Sequence, residues 1–196
     1  TEMDIYRPVC GFDGIRLMGY TKIAMNTVKQ NFNLKSKQAF DELKKLPLKI
    51  TVLLSAQEEL GTRGAKTGPY GRNADEAISV DVSFGYTPGC SKEECGKIGN
   101  GAMIGISPVL DKKISEALIS VAQENQIPYQ TEVMNGRTGT NADVISLSEN
   151  GIKCGLISIP LKYMHSPVEV VDIRDVESVA ELIVSYAKGK AGAQHA

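Results

Sequence analysis

The residues best suited to chemistry are two adjacent glutamates, Glu58 and Glu59, an aspartate inside an apolar run, Asp81, and a histidine, His165, in Tyr163-Met164-His165-Ser166-Pro167. Hard carboxylate oxygens with one imidazole suit zinc, cobalt or manganese better than calcium. With two glutamates side by side, one can hold a metal while its neighbour acts as general base on the attacking water. Each residue also has a plainer reading. A Glu-Glu pair after a strand is usually a solvated turn, and His165 can be a satisfied loop histidine. Asp81 is harder to dismiss, because a carboxylate within an apolar run needs a partner or a metal. His195, near the end of the sequence, is read as uninvolved.

The elements that must position these residues follow from periodicity. Lys49 to Ala56 is a short, nearly continuous apolar run, as expected of a strand buried on both faces, and it ends at the glutamate pair. Ala77 to Phe84, which carries Asp81, and Ala102 to Ile106 read the same way. From Asp111 the period changes: Ile114, Ala117, Leu118, Val121 and Ala122 form one helical stripe, with Asp111 as cap and Pro128 as stop. Tyr129 to Met134 alternates like a strand, Ala142 to Ser148 reads as a short helix, and Cys154 to Ile159 as a buried strand leading to His165. Asp175 to Ala187 places Val176, Val179, Ala180, Ile183 and Ala187 on one helical face. Residues 38–46 read as a short helix and Thr21 to Leu34 as a helix of weak periodicity. Strands alternating with helices predict an α/β layered domain with a mixed or mostly parallel sheet. One domain over residues 1–190 is expected, with a frayed tail at 191–196. In open α/β sheets ligands collect beyond the carboxyl ends of strands, which would gather Glu58, Glu59, Asp81 and His165 at one sheet edge.

Composition narrows the function classes. The 196 residues carry 22 basic and 23 acidic side chains, a net charge of −1, which offers no basic face for nucleic acid or anionic membrane. No apolar run reaches the roughly 20 residues that span a bilayer, and Thr1 to Pro8 lacks the order of a signal peptide, so the reading is cytoplasmic. Of four cysteines, Cys10, Cys90, Cys95 and Cys154, only Cys90 and Cys95 are close in sequence, with no second pair to complete a structural zinc site. Free cytosolic thiols are expected, with a local disulfide or adventitious metal binding as the alternatives.

Four segments resemble one family. Gln57-Glu58-Glu59-Leu60-Gly61-Thr62-Arg63-Gly64-Ala65 resembles the Q-E-E-V-G-x-R-G-A segment of the M42 metalloaminopeptidases. Val80-Asp81-Val82-Ser83 is similar to their D-V-T segment, and Arg137 to Ala142 to their G-T-D-A segment. Ile159 to Pro167 closely resembles I-P-x-R-Y-M-H-S-P. The motifs stand in the family's order from residue 57 to 167. The resemblance implies a layered α/β/α zinc-peptidase catalytic domain with a mixed sheet, from which the family's inserted smaller domain is expected to be missing. It implies hydrolysis of amino-terminal residues from peptides, with Glu58 as general base. Glu59 and His165 would be ligands of one metal, and Asp81 a ligand of the other. Zinc or cobalt is the implied cofactor, two ions in the family and one or none expected here. Peptide substrates and a homo-oligomer or complementing chain are the implied partners.

The sequence departs from the family pattern at two ligands. The family's early H-x-D histidine has no counterpart, since the histidines here are His165 and His195. Its bridging D-D-R segment aligns with Ala24 to Val28, where Met25 and Asn26 stand in place of aspartates. Asn26 lacks the negative charge that holds two cations together, and Asn141 replaces a family aspartate. The chain would also begin after the family's first strands. Three expectations follow: a metallopeptidase completed by parts from elsewhere, a degenerate inactive subunit for peptide binding or assembly, or a truncated product with exposed apolar surface. No paired-carboxylate argument for glycoside hydrolysis exists beyond what the metal site explains.

Overall fold

The computed structural model describes residues 3–6, 39 and 41–193. The expected helix over Thr21 to Leu34, together with Met25, Asn26 and His195, lies outside them. In chain order the elements are strands β1 (Met3–Tyr6) and β2 (Ile50–Leu53), helix α1 (Arg63–Thr67), strands β3 (Glu76–Phe84) and β4 (Ala102–Ile106), helix α2 (Lys112–Glu124), strand β5 (Tyr129–Val133), helix α3 (Ala142–Ile145), strand β6 (Lys153–Leu161) and helix α4 (Ile173–Ala193). The main sheet has the order β3-β6-β4-β5, with β6 parallel to β3 and antiparallel to β4, and β4 parallel to β5. It is a mixed sheet, as the alternation of strands and helices predicts. β1 and β2 form a separate parallel pair.

β6 organises the layers, because its alternate residues serve two cores. Ile157 packs with Ile104 of β4 and with Ile114, Leu118, Val179 and Leu182 of the apolar stripes of α2 and α4. Cys154 and Leu156 face the other way, against Ala65 of α1, Ala142 and Ile145 of α3, and Leu110. Helices on both faces of one sheet give an α/β/α layering. Gly155 permits the close seating of α2, since a Cβ there would lie 2.5 Å from the Cγ2 of Ile114. The Asp111 carboxylate accepts a hydrogen bond from the Ile114 amide, the expected N-cap.

Several boundaries differ from the sequence reading. β2 is half-buried rather than buried on both faces and stops at Leu53, because the chain turns at Ser55-Ala56 toward an unforeseen helix, α1. α4 begins two residues early, where the Asp172 carboxylate accepts from the Arg174 amide at 2.9 Å, and it continues to Ala193, six residues beyond the expected end at Ala187. At that far end Tyr186 donates to Glu76 at 2.8 Å and Lys190 meets the same carboxylate at 2.7 Å, fastening the helix to the start of β3.

Candidate metal and active site

The glutamate pair sits in a loop tied down at both ends. The Gly61 and Thr62 amides donate to the Glu58 carbonyl, the Arg63 amide to Gln57 and the Gly64 amide to Ala56 at 2.9 Å. A Cβ at Gly64 would stand 2.4 Å from the Ala56 nitrogen, so only glycine lets α1 close this tightly onto the end of β2. Gln57 is held at φ 57° and Thr62 at φ 55°, left-handed conformations that cost non-glycine residues on the order of 1–3 kcal/mol each. Such strain gathers at functional loops.

The second loop follows β6. Lys162 and Val170 exchange backbone hydrogen bonds across its base, and within it Tyr163 and His165 take φ 58° and 65°. Glu169 accepts from the His165 amide at 2.9 Å and so fixes the histidine's backbone. Glu169 belongs to none of the recognised motifs; its signal in the sequence is a carboxylate four residues after the histidine. A third loop, Arg137 to Ala142, is gathered by another overlooked residue. Asp143 accepts from the Thr138 amide and hydroxyl at 2.8 and 2.7 Å and from the Gly139 amide at 3.1 Å. Asn141 then reaches Ser55, at the end of β2, at 2.8 Å.

The loops bring the sequence-selected residues into one electrostatic neighbourhood. His165 Nε2 lies 3.8 Å from Glu59 Oε1, both side chains being more than half exposed. Burial raises the Glu58 carboxyl above its ordinary range, and the charges of Asp81 and Glu59 raise it further, against a lowering by His165. Burial likewise raises Asp81; the Val82 amide, donating at 2.8 Å, opposes this, while Glu59 and Glu132 add to it. Glu58, Glu59, Asp81 and Glu132 thus repel one another through a shared neighbourhood, with His165 acting on Glu58 and standing beside Glu59, an imbalance that a cation would relieve.

The residues can be tested for a metal on that basis. Asp81 pairs in register with Ser158, whose buried hydroxyl has no hydrogen-bond partner among the described residues, and neither has the Oε2 of Glu132. Orphaned oxygens beside a crowded carboxylate fit a cation-binding pocket, and the oxygen and imidazole donors fit a divalent metal. Among the described residues no three of His, Cys, Asp and Glu converge closely enough to enclose an ion. The fit is that of a donor pair, Glu59 with His165, and a separate donor in Asp81, and not of a closed cage.

The comparisons with known proteins identify the family. The family model described as M42 glutamyl aminopeptidase matches residues 36–182. Lysyl aminopeptidase of Pyrococcus furiosus is 33% identical over 133 residues, covering 68% of this chain and 38% of its own length. The structure of an aminopeptidase from the archaeon Desulfurococcus kamchatkensis superposes with TM-score 0.68 at 36% identity, over 76% of this chain and 44% of that one. The TET1 peptidase of Pyrococcus horikoshii, whose structure shows that it can assemble into a tetrahedron or a large octahedral shell, gives TM-score 0.52 at 27% identity, over 68% and 39%. The chain spans less than half the length of each of these relatives. On the match of its model across three quarters of the sequence, the chain belongs to the M42 glutamyl aminopeptidase family.

Proposed function

We propose that this chain carries the metal-binding and proton-transfer residues of an aminopeptidase that removes amino-terminal residues from peptides. The observation that carries the reading is the convergence of Glu58, Glu59, Asp81 and His165, from three separate segments, into one electrostatically coupled group. Glu59 and His165 would hold one divalent ion, zinc or cobalt, and Asp81 would reach toward a second. A bound cation supplies Lewis-acid polarisation of the scissile carbonyl. Glu58 takes the proton from the attacking water and returns it to the leaving amine, a task for which a carboxyl raised toward neutrality is suited. The backbone hydrogen bonds and left-handed residues of the Glu58–Glu59 loop support this reading, since they would restrict where Glu58 can stand relative to the donor pair. A near-neutral chain of this kind is read as acting in the cytoplasm on peptides, without nucleic acid or membrane. Among the described residues no helix is long and apolar enough to cross a membrane. Assembly into a homo-oligomer, or with a complementing chain, would supply the donors that Met25 and Asn26 lack.

The test is turnover of amino-terminal residue amides by the zinc- or cobalt-loaded protein, with Glu58→Gln alongside. Loss of about 10²- to 10⁴-fold in the variant is expected of a missing general base; undiminished turnover would remove Glu58 from the mechanism. Met25 and Asn26 favour a second reading, in which the chain binds peptide ends without cutting them. Peptide binding that survives chelation, with no hydrolysis at any metal load, would select it.

A further inference from the structure

Between β3 and β4 the chain makes a closed excursion. Gly85 and Gly96 form a parallel bridge, with the Tyr86 amide donating to Gly96 and the Gly96 amide to Phe84, both at 2.8 Å. These bonds bind residues 86–95 into a loop with a narrow neck. Cys90 follows a turn in which its amide donates to the Thr87 carbonyl, and residues 92–95 run through successive bends that bring the chain back. Cys95 lies at the neck and is partly buried, while Cys90 is exposed; both are free thiols. Burial holds the Cys95 thiol above its ordinary range, and the neighbouring Cys90 thiol raises it further. The Thr87 hydroxyl is 3.1 Å from the Cys90 sulfur, and the Lys92 ammonium rests over the Tyr86 ring on the same loop. Cys154, by contrast, is buried in the sheet with its thiol pushed up to about 12, and takes no part.

We propose that Cys90 and Cys95 are a reversible dithiol–disulfide pair whose reaction partner is a small-molecule disulfide of the glutathione class. Exposed Cys90, as thiolate, attacks one sulfur of the oxidised partner; a mixed disulfide forms and the first partner thiolate leaves. Cys95 then loses its proton and attacks the Cys90 sulfur, forming the intraloop bond and expelling the second partner thiolate. Both cysteines are oxidised, one partner disulfide is reduced to two thiols, and the two protons released go to those thiols. The geometry favours the second step over a lasting mixed disulfide, because both thiols belong to one short loop closed at Gly85 and Gly96 and stand five positions apart within it. The bond would brace the segment directly after β3, the strand that carries Asp81.

Trypsin provides the readout, since it cleaves after Lys92, between the two cysteines. The whole chain is equilibrated with oxidised or reduced glutathione, quenched in acid, alkylated with N-ethylmaleimide, digested and mapped by mass. In the oxidised sample the fragments holding Cys90 and Cys95 should emerge joined, two hydrogens lighter than their sum. Alkylation of both should fall at least about tenfold relative to the reduced sample. Reduction with dithiothreitol should separate them, and neither Cys90→Ser nor Cys95→Ser should give the joined species. Fragments that each carry glutathione, a link to Cys10 or to a second chain, or equal alkylation in both buffers would overturn the proposal.

Discussion

His165 Nε2 and Glu59 Oε1 stand 3.8 Å apart although their strands end more than a hundred residues apart in sequence. Neither residue reaches the other through its own element; each is delivered by a loop whose backbone is held in left-handed conformations. Two donors at that spacing, both open to solvent, can close on one cation with small side-chain movements. Zinc at about a hundred times its dissociation constant should stabilise the fold by about 2.7 kcal/mol, read as a rise in melting temperature. The rise should vanish with ethylenediaminetetraacetate and in His165→Ala and Glu59→Gln alike. A full rise in both variants would place the metal elsewhere.

Glu169 is tied to His165 through that residue's backbone. Its carboxylate holds the His165 amide, so Glu169→Ala should leave the imidazole present but misplaced. Supporting contacts of this kind typically govern metal affinity by about 10- to 100-fold. Cobalt titration followed by visible absorption should show that weakening with the band shape preserved at saturation. Glu169→Gln, which keeps an acceptor oxygen, should recover most of the affinity.

The Gly64 contact predicts a local failure with a chemical consequence. Gly64→Ala drives a methyl group into the Ala56 backbone and must displace α1 from β2. Overpacking of this kind costs about 1–3 kcal/mol, measurable as a lower urea midpoint. The Glu58–Glu59 loop lies between the two displaced elements, so peptide turnover should fall more than stability alone explains. Gly61→Ala meets no neighbour within 4 Å and is strained only by its φ of 95°, so it should cost less.

At the start of α4, the Arg174 side chain and amide hold the Asp172 carboxyl at about 2. A carboxyl depressed in the folded state adds stability above its unfolded value near 4, and that stability is lost as pH falls toward about 2. The pair is largely at the surface, so solvent screening leaves only a part of the nominal effect. Asp172→Asn should therefore flatten the acid limb of the stability curve between about pH 4 and 2, with the loss at neutral pH confined to the cap and ion pair. An unchanged acid limb would show that the pairing does not persist in solution.

Much of the central architecture was legible because its signals are periodic. The stripe Ile114, Leu118 and Val121 specified α2 and its face, and the unbroken apolar run through Leu156 and Ile157 specified a strand buried on both sides. The candidate chemistry was legible in residue type, since Asp81 is costly to bury without a reason. Helix α1 was not legible: Arg63–Thr67 is a single turn with no apolar period, held by Gly64 packing on Ala56, a contact that exists only once the chain has folded. Glu169 and Asp143 escaped for a related reason. Their partners are backbone amides, and the sequence does not record which amides a loop will turn inward.

The placement of β6 has a consequence for biosynthesis. Among the described residues it is the only strand joining β3 to the β4–β5 pair. β3, complete once the ribosome has passed Phe84, must therefore wait for Lys153–Leu161, the strand it pairs with in the main sheet. Pairings between distant segments form slowly and leave strand edges exposed in the interval. Until residue 161 has left the ribosome tunnel, the nascent chain holds an unpaired β3 and a β4–β5 pair with open edges, and this is the period in which a holding chaperone would matter most.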